Sequence, residues 1–272
     1  MTIFGLAKPT MFGSDGQAKP GLAHFADDVH IDIDDNERQK LIHTLTVMLL
    51  KFKLHWTTLQ SVMKATGAVI SGSAALAVLF ENMFTPQDLD FYVNEKGFRT
   101  MLIFLTNQNY QLTTSRPYYE SQKKYTKSLM ILTLKYKNED MKIDLITTTE
   151  EQVLNTITRF HSTVVMNYIA FYGIVCLYPD WTLRKIGLMT EENISSEIVN
   201  KYRLRGFKIA STSSKLTGYD DNHECGKHIC CPKFKRNLQD GFNFFVSFEE
   251  GITETIHFNW GLKTVKECKK KK

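Results

Sequence analysis

Glycine and proline are scarce in this sequence, and no long segment is purely apolar. The 272 residues include only 15 glycines and 6 prolines, which excludes a collagen-like or low-complexity chain. Because 43% of the residues are hydrophobic, a wholly disordered chain is excluded as well. The uncharged segment 161–179 contains polar side chains and a central glycine, so we expect a buried segment with a turn there rather than a membrane helix.

Cysteine is also rare. The chain has five cysteines, an odd number, and its first residues lack the basic region and long apolar run of a secretion signal. A disulfide framework is therefore not expected. We expect reduced thiols in an intracellular protein, cytoplasmic or nuclear.

Positive and negative charges balance outside the last ten residues. The formal net charge is +5, and residues 263–272 hold six lysines and one glutamate, which account for all of it. The near-neutral remainder argues against strong non-specific nucleic-acid binding. The basic tail is expected to be a solvated chain end. The alternatives are a segment that binds nucleic acid weakly through its charge, or a targeting signal.

Hydrophobic spacing predicts the elements of the first half of the chain. A helical pattern starts at Glu37 and continues to a point before Gly67, which predicts one long amphipathic helix. A short buried strand over 68–70 follows. The next helix is expected over 74–82, with Ser73 as its N-cap.

Alternating patterns predict strands and hairpins in the remainder. One strand is expected over 88–93, and two more over 128–136 and 141–146 pair as an antiparallel hairpin. Residues 149–158 suggest a short helix, and a tight hairpin is expected around Gly173. A last hairpin combines 242–248 with 253–260 and turns at Glu250-Gly251.

These patterns divide the chain into four predicted parts. They are an N-terminal arm over 1–36, a core over 37–185, a C-terminal subdomain over 186–262 with a Cys/His loop and a hairpin, and the basic tail over 263–272.

A turn between a predicted strand and a predicted helix carries the sequence Ser71-Gly72-Ser73. Gly72 lets the backbone approach a ligand closely. The free amides at the start of the following helix, its dipole and the Ser73 hydroxyl together suit an anion. Gly-Ser turns are common, so this turn indicates a phosphate site only in combination with the carboxylates that follow it.

Asp88 and Asp90 on one strand, with Asp144 on another, predict a divalent-metal site. Because side chains alternate along a strand, Asp88 and Asp90 share a face while Leu89 points into the core. Two carboxylates on one face repel each other unless a cation lies between them, and their oxygens suit Mg²⁺ or Mn²⁺. Asp144, between two apolar residues of a strand expected alongside, completes a site for two ions.

These motifs follow one another in the order typical of the polymerase-beta-like nucleotidyltransferase superfamily, which this chain resembles. The matching residues are Ser71-Gly72-Ser73, Asp88-Leu89-Asp90 and Ile143-Asp144-Leu145, with fourteen residues between Ser73 and Asp88. The segments VISGSAAL, FTPQDLDFYV, KIDLIT, STVVMNYI, CLYP and KYRLRGF are also similar to a set of fungal nucleotidyltransferase-like proteins. The resemblance covers residues 65–235.

The resemblance implies an α/β (α+β) nucleotidyltransferase fold, a small mixed sheet flanked by helices with a C-terminal appendage. It implies transfer of a nucleoside monophosphate from an NTP such as ATP to an acceptor, releasing pyrophosphate, where the acceptor is RNA, a small molecule or a protein. Gly72 and Ser73 would hold the β- and γ-phosphates. Asp88 and Asp90 would bind two Mg²⁺ (or Mn²⁺) ions, and Asp144 would bind the ion nearest the acceptor and help remove its proton.

The segment after the third carboxylate is similar to the corresponding segment of CCA-adding and poly(A)-type enzymes. There an Arg-Asp pair lies near the nucleotide. This chain has Arg159 followed by Phe160, with His161 where the acidic residue would be, so a nucleotide role for Arg159 does not follow. Nearby basic residues are expected to form mostly a solvated helix face, although they could reach phosphates: Lys185, Lys201, Arg203 and Arg205.

Two other functions fit the same sequence. A catalytically silent module could bind nucleotide or RNA in the same cleft, and a partner protein of a toxin–antitoxin-like pair could use the same fold. The intact carboxylates favour the enzyme. The acidic run Asp32–Asp35 also spaces carboxylates two apart, but no Gly-Ser turn precedes it, so we expect a solvated run.

A loop rich in Cys and His has two interpretations. The pattern His223-x-Cys225-x₂-His228-x-Cys230-Cys231 offers enough ligands for Zn²⁺, for example His223, Cys225, Cys230 and Cys231, with Cys268 as a further closing ligand. The spacing differs from the usual C-x₂-C pair. The alternative is a loop of reduced cysteines that pack without metal.

Overall fold

The computed structural model describes residues 34–81, 83–118, 129–148, 152–190, 194–216, 224–227, 229, 231, 233–249 and 257–262. Residues 1–33 of the expected arm, the basic tail and His223, His228, Cys230 and Cys268 lie outside the described residues. The described part has an α+β fold, as expected.

Helices and strands are mixed along the chain. The helices are α1 Asp35–Lys51, α2 Trp56–Thr66, α3 Gly72–Leu79, α4 Glu95–Asn107, α5 Leu154–Ile157, α6 Pro179–Thr182 and α7 Ser196–Leu204. The strands are β1 Val69–Ser71, β2 Asp88–Asn94, β3 Tyr110–Tyr118, β4 Leu129–Tyr136, β5 Lys142–Thr148, β6 Asn167–Ala170, β7 Gly173–Cys176, β8 Ile186–Leu188, β9 Lys208–Ala210, β10 Lys235–Asn237, β11 Phe244–Ser247 and β12 Asn259–Gly261. Short 3-10 turns span Thr163–Val165 and Ser213–Lys215.

The main sheet has eight strands in the order β11-β7-β6-β1-β2-β5-β4-β3. Among its described strands, the neighbours β2 and β5 are parallel and every other neighbouring pair is antiparallel. The parallel strands β8 and β9 and the antiparallel strands β10 and β12 form two small separate sheets.

Apolar side chains cover both faces of the main sheet. On one face α1–α4 pack on residues of the central strands, including Ile70, Leu89, Phe91 and Leu145. On the other face a second cluster is built from the C-terminal half of the chain around Tyr168, Trp181 and Trp260. Because β2 alternates between buried and half-buried residues, its aspartates face away from α1–α4.

The prediction of a single long helix from Glu37 is wrong, because this segment forms two separate helices, α1 and α2. Lys53 has a φ of 54°, which no helix interior accommodates. The carbonyl of Leu49 accepts hydrogen bonds from the amides of both Phe52 and Leu54. Leu54 is completely buried at this bend, so burial of an apolar side chain outweighs helical continuity.

The helix after β1 also starts earlier than expected. α3 begins at Gly72, and the N-cap position belongs to Ser71, whose side chain does not cap the helix. The Ser71 hydroxyl instead donates to the carbonyl of Asn167 at 2.6 Å. Ser73 is therefore the second residue of α3 rather than its cap, and it is 4% exposed.

Two of the three expected hairpins are confirmed. β4 pairs with β5, and β6 pairs with β7 around Gly173, both antiparallel. The turn of the last expected hairpin and residues 253–256 of its second strand lie outside the described residues; in the described part, β11 pairs with β7 and β12 pairs with β10. Both strands are short, and each pairs with a strand from another part of the chain.

The C-terminal third contributes to the main sheet. β11 lies in the segment expected to form a separate subdomain, yet it is the edge strand of the eight-stranded sheet. The boundary near residue 185 stays a prediction. None of the helices in the described ranges is long and apolar enough to cross a membrane, and residues 161–179 form short strands and turns.

Candidate functional site

Polar side chains from three neighbouring strands lie in one row across the centre of the sheet. Asp90 on β2 is in register with Ser71 on β1 and with Asp144 on β5. Residues in register on neighbouring strands point to the same face. The sheet therefore brings Asp90 and Asp144 side by side, as their positions in the sequence predict, and places the Ser71–Gly72 turn on the other side of Asp90.

Gly72 lies against the carboxylate of Asp90. Its φ is +68°, and a Cβ atom added at this position would stand 2.8 Å from Asp90 Oδ2. Only glycine adopts this backbone angle without strain, and only glycine leaves room for the carboxylate. The start of α3, where the first amides lack partners within the helix, is thus adjacent to Asp90.

The electrostatic environment of Asp90 is unfavourable for a free carboxylate. Burial, followed by the charges of Asp88 and Asp144, raises the pKa of Asp90 from its ordinary value of 3.8 to about 8, and Lys201 lowers this pKa in part. In the metal-free protein Asp90 is therefore mostly protonated at neutral pH. A cation among these three carboxylates would relieve the repulsion and lower the pKa.

The residues present suit a hard divalent cation. Asp144 Oδ1 is buried and has no hydrogen-bond partner among the described residues, so one carboxylate oxygen is uncommitted. All three candidate ligands are carboxylates, the preferred donors of Mg²⁺ and Mn²⁺. Among the described residues, no group of three or more His, Cys, Asp or Glu side chains is placed so that it could hold a metal ion, so the joint binding of metal by Asp88, Asp90 and Asp144 stays a prediction.

Arg205, directly after α7, lies close enough to Asp88 for that carboxylate to influence its pKa. Its Cζ atom lies 3.8 Å from the ring centroid of Phe84 and 5.4 Å from that of Tyr202. Burial lowers the pKa of Arg205, while Tyr202 and Asp88 raise it. Its Nη1 atom is buried without a hydrogen-bond partner in the described part of the chain, so a charged donor beside Asp88 lacks an acceptor.

Lys201 and His161 extend this basic side of the site. Lys201 is exposed on α7 and close enough to influence both Asp90 and His161. Burial, followed by Lys201, lowers the pKa of His161 to about 4, so its imidazole is neutral at pH 7. The ring centroid of His161 lies 5.8 Å from that of Tyr202.

The sequence analysis missed part of this arrangement. Arg205 was expected mostly as part of a solvated face, whereas the structure holds it half-buried between Phe84 and Tyr202. The spacing of Lys201 and Arg205, four residues apart, did indicate one helix face. Nothing in the sequence linked that face to Phe84, which precedes β2 on a different part of the chain.

The other candidate residues lie elsewhere. Asp34, from the acidic run, caps α1 by accepting a hydrogen bond from the amide of Glu37 at 2.7 Å. Asp35 pairs with Arg38 at 3.1 Å. Both have structural roles at a helix start, as the solvated interpretation of the run expects. Lys185 lies 6.0 Å above the ring of Phe80.

The Cys/His loop is described only in part. The Sγ atoms of Cys225 and Cys231 are 3.8 Å apart, and no disulfide joins them. Cys225 is exposed and Cys231 is buried.

Similarity to known proteins is found among solved structures and in neither protein-family models nor curated proteins. No protein-family model matches the chain, and no curated protein matches it. Among solved structures, the chain is similar to a tRNA-processing enzyme in an apo form, at 15% sequence identity and a TM-score of 0.32. The similarity covers 65% of this chain and 45% of that one, so this chain matches less than half the length of that enzyme. It does not assign a family.

Proposed function

We propose that this protein is a metal-dependent nucleotidyltransferase, which transfers a nucleoside monophosphate from an NTP to an acceptor and releases pyrophosphate. The observation that carries the proposal is the position of Asp90, in register with Asp144 on one side and against Gly72 on the other. At this position Asp90 lies between a second carboxylate, with which it could bind divalent cations, and the start of α3, which could bind phosphate.

The phosphate end of the NTP would lie at the start of α3. The first amides of this eight-residue helix and the Ser73 hydroxyl would donate hydrogen bonds to the β- and γ-phosphates. Arg205 Nη1, which lacks an acceptor among the described residues, would donate a charge-assisted hydrogen bond to the same phosphates. Lys201, exposed on the same side of α7, would add a second positive charge.

The acidic side of the site would hold the metal and the acceptor. Asp88 and Asp90 would bind the cations, and Asp144 would take a metal ligand position near the acceptor. When bound, two divalent cations supply charge neutralisation for the triphosphate and ease the ionisation of an attacking hydroxyl. Asp144, with Oδ1 uncommitted, would accept the proton of the acceptor. Apart from that proton transfer, catalysis consists of positioning and charge stabilisation.

The neutral His161 fits the nucleotide side better than an acidic residue would. An aspartate in that place would add a fourth negative charge to the site. A neutral imidazole, whose Nε2 is buried without a hydrogen-bond partner within the described residues, offers a hydrogen-bonding atom without charge.

The direct test is transfer of label from α-³²P-labelled NTPs. The purified protein is incubated with each NTP, Mg²⁺ or Mn²⁺, and separate pools of RNA, hydroxylated small molecules and proteins. We expect labelled product in one pool and matching release of pyrophosphate. Asp144→Asn should abolish transfer, whereas Asp140→Asn, on the exposed turn before β5, should not.

Two results would contradict the proposal. Metal-dependent NTP binding without transfer in any pool would support the silent nucleotide- or RNA-binding module instead. Absence of NTP binding would remove the nucleotide site and leave a partner protein as the better interpretation.

A further inference from the structure

We propose that the acceptor of the transfer reaction carries a phosphate group next to its reactive hydroxyl, and that Lys142 and Lys135 bind this phosphate. The inference rests on the proposed function and deepens it, because it names the chemistry of the acceptor. Three observations carry it: the order of the strands around the site, the polar residues on the acceptor side, and the state of the two lysines among them.

The order of the strands determines the side from which an acceptor approaches. Gly72 follows β1 and Asp144 lies on β5, with β2 and Asp90 between them. In the transfer, the acceptor oxygen bonds to the α-phosphorus, and the bond from that phosphorus to the bridging oxygen of the β-phosphate breaks. Pyrophosphate leaves, and the hydroxyl proton passes to Asp144. Because the entering and leaving oxygens lie roughly in line, pyrophosphate at the start of α3 requires the acceptor to lie over β5 and the strands beyond it.

Polar residues occupy this side of the sheet. Two rows of residues in register cross β5, β4 and β3, one beside Asp88 and one beside Asp90. Residues in register on neighbouring strands share a face, so both rows lie on the face of the carboxylates. Together they form the open polar face, which consists of Lys142, Lys135 and Gln111 in the first row and Asp144, Thr133 and Thr114 in the second.

The open polar face is accessible and has a clear boundary. Its exposed residues are Lys142, Gln111 and Thr114. The next row on the same face pairs Ile146 with Ile131, and both are buried. Because the open polar face itself has no apolar or aromatic side chain, a base or an apolar group finds no packing surface there. Ammonium, hydroxyl and amide groups suit a sugar and its phosphate.

The two lysines are available to an anionic group. Lys142 forms no ion pair with any described residue. Lys135 Nζ lies 3.6 Å from Asp140 Oδ1, and both side chains are at the surface, where such a pair contributes little. A phosphate can therefore replace Asp140 as the partner of Lys135.

The spacing along β5 fits one hydroxyl and one phosphate. Lys142 stands two residues before Asp144 on the same face, about 6.6 Å along the strand. A single nucleotide or sugar phosphate separates its hydroxyl from its phosphate by a comparable distance. With the hydroxyl at Asp144, the phosphate reaches Lys142. The terminal nucleotide of a polynucleotide and a small sugar phosphate share this chemistry, and the experiment distinguishes them.

The first test measures binding and requires no turnover. The full-length protein is saturated with a non-hydrolysable ATP analogue and Mg²⁺, and decaadenylate with a fluorescein label at its 5′ end is titrated by fluorescence anisotropy. Ribose 5-phosphate and ribose are then added as competitors. We expect decaadenylate to bind and ribose 5-phosphate to displace it, with ribose weaker by about tenfold or more.

Single substitutions assign the phosphate to the lysines. Lys142→Gln and Lys135→Gln should each weaken binding of both phosphate probes by about two- to fivefold. For decaadenylate, each should also reduce the slope of log affinity against log salt by about 0.7. Lys40→Gln makes the same change of charge at an exposed position on α1, which packs on the opposite face, and should change neither. Asp140→Asn should strengthen binding, because it frees Lys135.

The second test uses transfer at saturating NTP. Lys142→Gln should raise the KM for the acceptor and leave kcat and the KM for NTP within about twofold of wild type, because the lysine binds the acceptor equally before and during reaction. A lower KM for decaadenylate than for ribose 5-phosphate would identify the end of a polynucleotide as the acceptor. The reverse order would identify a small sugar phosphate, and both orders support the inference.

Two results would overturn the inference while the proposed function stands. One is binding of the ATP analogue without binding of either phosphate probe, or with equal competition by ribose and ribose 5-phosphate. The other is the same acceptor affinity in Lys142→Gln and Lys40→Gln. Absence of ATP-analogue binding would instead overturn the proposed function, and this inference with it.

Discussion

Asp90 on β2 and Asp144 on β5 stand in register on the only parallel pair of strands within the described main sheet. Strands joined by a crossover lie parallel, and here that crossover includes α4, β3 and β4. Their side chains share one face, so two carboxylates 54 residues apart in sequence become neighbours. The register of this pair is the structural basis of the candidate site.

We expect Asp90→Asn to stabilise the metal-free protein and to abolish metal-dependent NTP binding. The substitution removes a carboxyl group whose ionised form is opposed by burial and by Asp88 and Asp144. At pH 8 the gain should be about 1 kcal/mol or more, which corresponds to about 2–4 °C in melting temperature for a chain of this size. Thermal melting and NTP titration measure the two effects.

The pH dependence of stability should follow the raised pKa of Asp90. In the unfolded chain Asp90 loses its proton near its ordinary value of 3.8, whereas in the fold it keeps the proton until about pH 8. The folded state therefore binds more protons between these values, and this group lowers stability progressively as pH rises from about 4 to 8. The difference in stability between Asp90→Asn and wild type should grow across that window; a difference that stays constant would contradict the shift.

Gly72→Ala and Gly67→Ala form a matched pair. Both glycines have a φ near 67°, but a Cβ at Gly67 meets no atom within 4 Å, while one at Gly72 meets Asp90. Each substitution should cost about 1–2 kcal/mol through backbone strain. Only Gly72→Ala should also reduce turnover, by about tenfold or more, because it displaces Asp90. Equal turnover in the two variants would separate Gly72 from the site.

Arg205→Met should weaken binding of an NTP more than binding of the corresponding NMP. Methionine keeps apolar contact with Phe84 but removes the buried donor of Arg205. Loss of a hydrogen bond to a charged group costs about 1.5–3 kcal/mol, so NTP affinity should fall by about 10- to 100-fold. Arg203→Met is the control, because Arg203 is exposed on α7 two residues before Arg205. Equal losses for NTP and NMP would place the phosphates elsewhere.

A buried ion pair should dominate the stability of the C-terminal region. Arg236 is 1% exposed and pairs with Asp240 at 2.6 Å, and its guanidinium lies 5.0 Å from the rings of both Tyr178 and Trp260. Asp240→Ala should cost about 3–5 kcal/mol, because it leaves a buried charge unpaired. In chemical denaturation, the same change at Asp140, which pairs with Lys135 at the surface, should cost less than about 1 kcal/mol.

Local patterns determined much of the architecture. Alternation of apolar and polar residues predicted β2, β4 and β5 and the face on which Asp88, Asp90 and Asp144 stand, because the side-chain direction of a strand depends only on residue number. The Gly-Ser turn before a helix was likewise visible, since glycine is the residue that such a turn requires. These are properties of neighbouring residues, and the sequence contains them directly.

Long-range pairing was decided by the tertiary structure. The sequence predicted two strands near residues 244 and 259 but not that β11 would join β7 while β12 joined β10, because strands of three and four residues carry too little pattern to specify a partner. The same holds for Arg205, which becomes part of the candidate site through Phe84 and Tyr202. Periodicity shows which face of an element is apolar; the burial of side chains from distant segments decides what covers that face.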